Sequence, residues 1–504
     1  MHIFGQCMVP RCLGLEPCRW WSYRRHFCTS KDVGVFLAEE SLVSQNMINS
    51  STGAHSNLKE HICNAFAAEE TDGILSLSNS LFCRNINNSP ICEIEPLQLL
   101  EESLEAVKGN RGQAAAIFNA WIASCYLLQI NENPESTETF ALAASSYAVQ
   151  LLKAYDELSE KYSISPDTIT LCLAYSAIMR TTDHGTRKMA TALLDRVAQL
   201  SKKQAGSKRR KQLAAARRRA TYQTFSEVEK DLQALLGSKD FSILYEDGDM
   251  VVINKPSGIS CFHAKKTTAG KVRKKSNKIG DNEDEDYDFS ASNDISLHDA
   301  FVHFNLPLST LNPDALGLVH RLDRGTSGCM VWAKRNEIHA QLVALFFVRR
   351  VYKEYTVLTA PAPQIERLRS NVPVVMSSSV DGRPAKSVYT LVEQFGQNST
   401  ASNTSQPTNT FGTAALGRVQ TLTGRKHQVR VHCATDLKSP VLGDPLYGRH
   451  GNQALIGETI AGLLSSQYFF LHASSLSIPL MKINVTAPIP SWWMPTLGKL
   501  RSLR

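Results

Sequence analysis

Gly317-Leu318-Val319-His320-Arg321-Leu322-Asp323-Arg324-Gly325-Thr326-Ser327-Gly328-Cys329-Met330-Val331-Trp332-Ala333-Lys334 joins a dense polar cluster to an apolar run. The run from Cys329 to Trp332, bounded by Gly328, has the length and punctuation of a buried strand. Asp323 then falls on a loop at the edge of a core, with Arg321 and Arg324 bringing guanidinium charge to both sides of it. Two readings follow from the stretch alone: an Arg-Asp-Arg knot that fixes a loop, or a carboxylate held at a reactive site.

Other segments frame this one. Upstream, Ile243 to Ile253 alternates around Asp247-Gly248-Asp249, which predicts two strands joined by a tight turn, and Lys255-Pro256-Ser257-Gly258 reads as a rigid turn that presents its lysine near a site mouth. Downstream lie the alternating strand Tyr352 to Leu358, with Lys353 and Tyr355, and the block Thr423-Gly424-Arg425-Lys426-His427-Gln428-Val429-Arg430-Val431-His432. Gly443-Asp444-Pro445-Leu446-Tyr447-Gly448 and Leu471-His472-Ala473 complete the series.

In that order, these blocks resemble the RluA-type family of RNA pseudouridine synthases, and they extend over about half of the chain. The resemblance implies a C-terminal α+β catalytic domain on a mostly antiparallel, mixed sheet, and isomerisation of uridine to pseudouridine in ribosomal, transfer or messenger RNA. It implies that Asp323 is the catalytic carboxylate, acting either by covalent attack or through a glycal intermediate. Arg430 would pair with it in a bidentate manner, and Tyr355 would stack on the target base. Arg321, Lys353, Arg425 and Lys255 become candidates for RNA contacts. No cofactor or metal is expected, because the reaction exchanges no electrons or groups with a second substrate. His320, His427 and His432 are read as structural hydrogen-bonding residues. The rival reading is a non-catalytic RNA-binding or ribosome-assembly factor on the same fold, which loss of Asp323, Tyr355 or Arg430 would have favoured.

The rest of the chain is organised around that domain, assigned to residues 241–490. At 504 residues the chain is too long for one ordinary core. Its hydrophobic content of 43% with 20% charged residues excludes wholesale disorder, and a net charge of +8 is compatible with a polyanionic partner. No uninterrupted apolar run reaches the roughly 20 residues of a membrane-spanning helix. The twelve cysteines contain no Cys-x-x-Cys pair or zinc-type spacing.

Residues 1–30 carry Arg11, Arg19, Arg24 and Arg25 against the single acid Glu16, the composition of an organelle transit peptide, with the mitochondrion favoured over the plastid. Residues 31–95 show no persistent period. Residues 96–201 read as an all-α region, with helices predicted at Ala114–Leu128, Ala141–Tyr162, Thr168–Met179 and Thr186–Leu200; it resembles pentatricopeptide-type repeats weakly, with an ordinary helical domain as the alternative. Residues 202–240 form a basic linker or helix, carrying Lys202-Lys203, Lys208 to Lys211 and Arg217 to Arg219, which would add phosphate contacts or act as a nuclear signal. The catalytic domain is expected to fold without these first 235 residues. Two polar insertions, 265–293 and 396–410, are expected to be disordered, and 491–504 to be a tail.

Overall fold

The computed structural model of the chain describes scattered positions from 100 to 105, residues 111–130, parts of 148–164, and then 168–180, 184–204, 224–263, 295–312, 315–363, 371–396, 414–448 and 468–502. All of them belong to one compact unit. The Arg-rich leader, residues 31–95, the basic clusters at 208–219, the insertion at 265–293 and residues 397–410 lie outside the described residues.

The strands are β1 (Ser242–Glu246), β2 (Met250–Lys255), β3 (Ser327–Ala333), β4 (Tyr352–Thr359), β5 (Pro373–Met376), β6 (Ser387–Phe395), β7 (Ala414–Thr421), β8 (Leu471–Ile478) and β9 (Ile483–Thr486). They form one sheet in the order β1-β2-β3-β8-β4-β7-β6-β5, with β9 added to β8. Every pairing is antiparallel except β3 with β8, so the sheet is mixed and mostly antiparallel.

The β1–β2 hairpin closes as its sequence predicts. Asp247 Oδ1 accepts the backbone N–H groups of Asp249 and Met250, each at 2.8 Å, which makes the side chain part of the turn. β2 and β3 are buried along their whole length, the signature of central strands covered on both faces. The parallel contact of β3 with β8 needs Gly328 (φ 111°), because a Cβ there would lie 2.2 Å from the Ala473 carbonyl oxygen.

Alternation sends neighbouring residues into two cores. Val357, Ala415 and Val419 join Trp332, Tyr355 and Tyr389 on one face, while Leu358, Ala414 and Leu416 join Phe395 and Phe470 on the other. The first core is covered by α4 (Glu229–Leu236), α5 (Leu297–His303) and α7 (Gln428–Thr435). A capping box between Ser296 and Asp299 starts α5 where Phe301 must meet Trp332, whose rings lie 4.9 Å apart. The second core is covered by α8 (Trp493–Arg501), whose Trp493, Leu497 and Leu500 fall at helical spacing and are buried.

Two boundaries therefore differ from those expected. The 491–504 stretch is no tail but carries α8, a lid on the second core. The 202–240 linker ends well before 240, since Phe225, Val228 and Leu232 are buried with Phe241 and Phe301. Glu246 fastens this entry by accepting the N–H groups of Phe225 and Ser226 at 2.8 and 2.9 Å and by pairing with Lys334 at 2.5 Å.

Of the helical region, α1 (Arg111–Ile130), α2 (Thr168–Met179) and α3 (His184–Gln204) are described. They overlap the segments Ala114–Leu128, Thr168–Met179 and Thr186–Leu200, while of Ala141–Tyr162 only pieces are described. α2 is buried from Thr170 to Ile178, because it packs against α1, α3 and also α6 (Asn336–Phe347) of the catalytic part. Leu171, Cys172, Tyr175 and Ile178 share one core with Leu311 and Ala340. α2 and α3 thus share a core with α6, which argues against the expectation that the first 235 residues are dispensable for folding.

Candidate active site

Asp323 sits on the loop leading into β3, and the loop is pinned from beneath on both sides of it. Leu322 is buried, and the Cys261 thiol donates to its carbonyl at 3.2 Å while accepting its N–H at 3.4 Å. Arg324 exchanges two bonds with Gly258, its Nε donating to the Gly258 carbonyl at 2.9 Å and its own carbonyl accepting the Gly258 N–H at 2.8 Å. Lys255 Nζ donates to the carbonyls of Pro256, Arg324 and Thr326 at 3.0, 3.0 and 2.8 Å. All three of its N–H donors are spent and the side chain is fully buried. Burial lowers its pKa to about 8. Lys255 therefore staples the Asp323 loop and has no donor left for a phosphate, contrary to its reading as an RNA contact.

Arg430 comes from α7 and reaches two carboxylates. Its Nη1 donates to Asp323 Oδ2 at 3.2 Å, while Nε and Nη2 grip Asp444 Oδ2 and Oδ1 at 2.7 and 3.0 Å. The bidentate contact expected for Asp323 belongs to Asp444 instead, since the Nε–Nη2 edge faces that fully buried carboxylate. The guanidinium is also flanked by the rings of Phe469 and Tyr447, at 4.5 and 5.2 Å from the centroids. Burial works against its charge, but Asp444 and then Asp323 more than offset this and raise its pKa above the ordinary value.

A cleft of about 210 Å³ opens over this pair, and Tyr355, Arg321, Lys353, Arg425, Lys426 and His427 line it. Among its described lining residues Asp323 is the only carboxylate, set against five cations counting Arg430. The Asp323 side chain is 19% exposed, enough for a ligand to reach it. Tyr355 is 8% exposed, and burial, followed by the nearby Asp323, raises the pKa of its phenol. Burial and then Arg349 lower Lys353 to about 8; its Nζ lies 5.9 Å from the centre of the Phe346 ring. Arg321 is exposed, and Arg425 spends its Nε on the Pro384 carbonyl at 3.0 Å.

The three histidines divide. His320 accepts the Val331 N–H at 3.0 Å on Nε2 and stacks on Phe346, and burial lowers its pKa to about 3. His432 is held between Ser387 Oγ and the Ser378 carbonyl at 3.0 and 2.9 Å. His427 instead faces the cleft, with Nε2 3.8 Å from Asp323 Oδ1 and Nδ1 3.1 Å from the Tyr447 hydroxyl.

Sequence reasoning assigned no role to Asp444, Tyr447 or Phe469. The Gly443-to-Gly448 block was visible, but no spacing rule ties Asp444 to an arginine on a helix 14 residues earlier.

One accessible carboxylate among the described lining residues, set against five cations with an aromatic side chain beside it, defines a site equipped to act on a polyanion such as a nucleic acid. A family model described as RNA pseudouridylate synthase matches residues 249–435, which contain Asp323, Tyr355 and Arg430. An uncharacterized RNA pseudouridine synthase of Zymomonas mobilis is 31% identical over 176 residues, covering 34% of this chain and 73% of that protein. Ribosomal large subunit pseudouridine synthase D of Xanthomonas campestris is 29% identical over 279 residues, 52% of this chain and 69% of its own. A human pseudouridylate synthase named as mitochondrial is 26% identical over 285 residues, 51% of this chain and 69% of its own. The chain belongs to the RNA pseudouridylate synthase family. It is an isomerase that converts uridine in RNA to pseudouridine.

Proposed function

We propose that Asp323 is the catalytic carboxylate of this isomerisation, that Arg430 orients it, and that Tyr355 holds the detached uracil by stacking. The observation that carries the reading is the 3.2 Å contact of Arg430 with Asp323 in a cleft where Asp323 is the only carboxylate among the described lining residues. A carboxylate fixed on one oxygen keeps the other turned toward the ribose, and the base has to leave the RNA stack to reach it. Arg321, Lys353 and Arg425 contact phosphates near the target nucleotide. The helical region and its basic flank add further phosphate contacts, and the chain acts on organellar RNA in the mitochondrion, in keeping with its Arg-rich leader.

Asp323→Asn keeps size and most hydrogen-bonding capacity and removes the charge and the nucleophile. Pseudouridine mapping on cellular RNA incubated with each protein should show sites formed by the wild type and absent with the variant. RNA binding should persist, because phosphate and shape contacts are spread over the surface. A folded Asp323→Asn protein that modifies the same uridines at the wild-type rate would remove the carboxylate from the mechanism.

A further inference from the structure

Isomerising uridine moves a proton as well as a bond. The bond from ribose C1′ to N1 breaks, the base turns, and C5 bonds to C1′. C5 then carries both the sugar and its original hydrogen. To finish, that hydrogen leaves C5 as a proton, its electron pair restores the C5–C6 double bond, and a proton is added at N1. Nothing is oxidised or reduced, but some group beside the base must accept one proton and give one back.

Resting on the reading that Asp323 works at the ribose, we propose that His427 takes the proton from C5 and supplies the one added to N1. Asp323 Oδ2 is held by Arg430, and His427 Nε2 lies 3.8 Å from the other oxygen, Oδ1. A ring in contact with the oxygen that faces the sugar is also next to the base attached to that sugar. His427 lines the cleft with only 12% of its side chain exposed, so it meets substrate rather than bulk water.

The ring is also firmly mounted. His427 precedes α7 in the left-handed region at φ 56°, a setting that fixes the direction in which its ring leaves the backbone. Thr423 and Gln428 brace the turn, with Thr423 Oγ1 donating to Gln428 Oε1 at 2.7 Å and Gln428 Nε2 to the Lys386 carbonyl at 2.9 Å. The Tyr447 hydroxyl lies 3.1 Å from Nδ1, and the two rings meet edge to face at 5.9 Å. In the tautomer whose Nδ1–H donates to Tyr447, Nε2 is the proton-accepting nitrogen.

Few other described lining residues can take up a proton. The Tyr355 phenol, its pKa raised by burial, keeps its proton and is a poor acceptor. Lys353, lowered to about 8, is largely an ammonium at neutral pH. Arg321, Arg425, Lys426 and Arg430 only donate. Besides His427 this leaves Asp323, already engaged at the ribose.

The test uses the full chain and a transcript in which the wild-type protein forms pseudouridine, synthesised with uridine bearing hydrogen or deuterium at C5. His427→Asn suits the left-handed backbone and cannot relay a proton. It should turn over about 10²-fold more slowly, and its rate should now depend on deuterium at C5, while melting and RNA affinity stay at wild-type values. His427→Gly, equally suited to that backbone, should regain turnover when imidazole is added. Tyr447→Phe should show a smaller loss of the same kind. A His427→Asn protein as fast as the wild type, or one slowed without any isotope effect and without imidazole rescue of the glycine variant, overturns the proposal and returns the proton to Asp323. A wild-type protein that makes no pseudouridine in any RNA, or an Asp323→Asn protein that does, defeats the underlying reading instead.

Discussion

Arg430→Met tests how the site is held together. The substitution keeps an unbranched side chain against the rings of Phe469 and Tyr447 but withdraws three donated hydrogen bonds, two from Asp444 and one from Asp323. Asp444 is fully buried and, among the described residues, keeps the backbone N–H groups of Leu446 and Tyr447, so it becomes a charge without its counter-ion. Stripping a buried pair of one partner costs about 3–5 kcal/mol, and at about 2–4 °C per kcal/mol the melting point should fall by roughly 6–20 °C. Asp444→Asn is milder, about 1.5–3 kcal/mol, because Arg430 still has Asp323. In the double variant no unpaired Asp444 charge remains, so its loss should fall short of the sum of the two by about 1–3 kcal/mol. Differential scanning calorimetry on the four proteins reads the cycle directly. If the two losses add to within about 0.5 kcal/mol, or if Arg430→Met melts with the wild type, the guanidinium does not bind the two carboxylates as a unit.

Three further outcomes are expected. Lys353 titrates near pH 8 when folded and near 10.5 when unfolded, so between these values the native state holds fewer protons and its stability rises with pH; Lys353→Met should lack that gain, about 1–2 kcal/mol between pH 7 and 9.5, and calorimetry at both pH values should show it. RNA affinity of the wild type should fall over the same range as the ammonium is lost, whereas the Met variant should bind weakly throughout, as read by filter binding. Deleting residues 1–235 should give insoluble or molten protein by near-UV circular dichroism, because it exposes the face of α6 that packs on α2 and removes Phe225, Val228 and Leu232 from the main core.

Much of the catalytic half was legible because its signals are local. The Asp247-Gly248-Asp249 turn, the apolar run of β3 and the alternation of β4 each announce an element within a few residues, and the motif blocks mark the Asp323, Tyr355 and Arg430 positions. What escaped depends on distance in space. Nothing near Lys255 reveals that the carbonyls of Arg324 and Thr326 consume its ammonium, or that Asp444 takes the bidentate edge of Arg430. The apolar spacing of Trp493, Leu497 and Leu500 was readable, yet a nine-residue segment with an internal Pro495 and Gly498 looks unlike a helix until a core exists to receive it.

The parallel pairing of β3 with β8 also sets a timetable for synthesis. Ser327 finds its partner in His472, and the cleft is walled by residues from Arg321 to Leu471. A ribosome that has made Asp323 needs roughly 7–30 s more, at ~5–20 residues per second, before the strand that seats β3 has been translated. Until then the carboxylate loop has no wall behind it, and Arg430, Asp444 and Phe469 arrive one after another during the wait. A chain that stops short of β8 therefore lacks both Phe469 and the strand that pairs with β3.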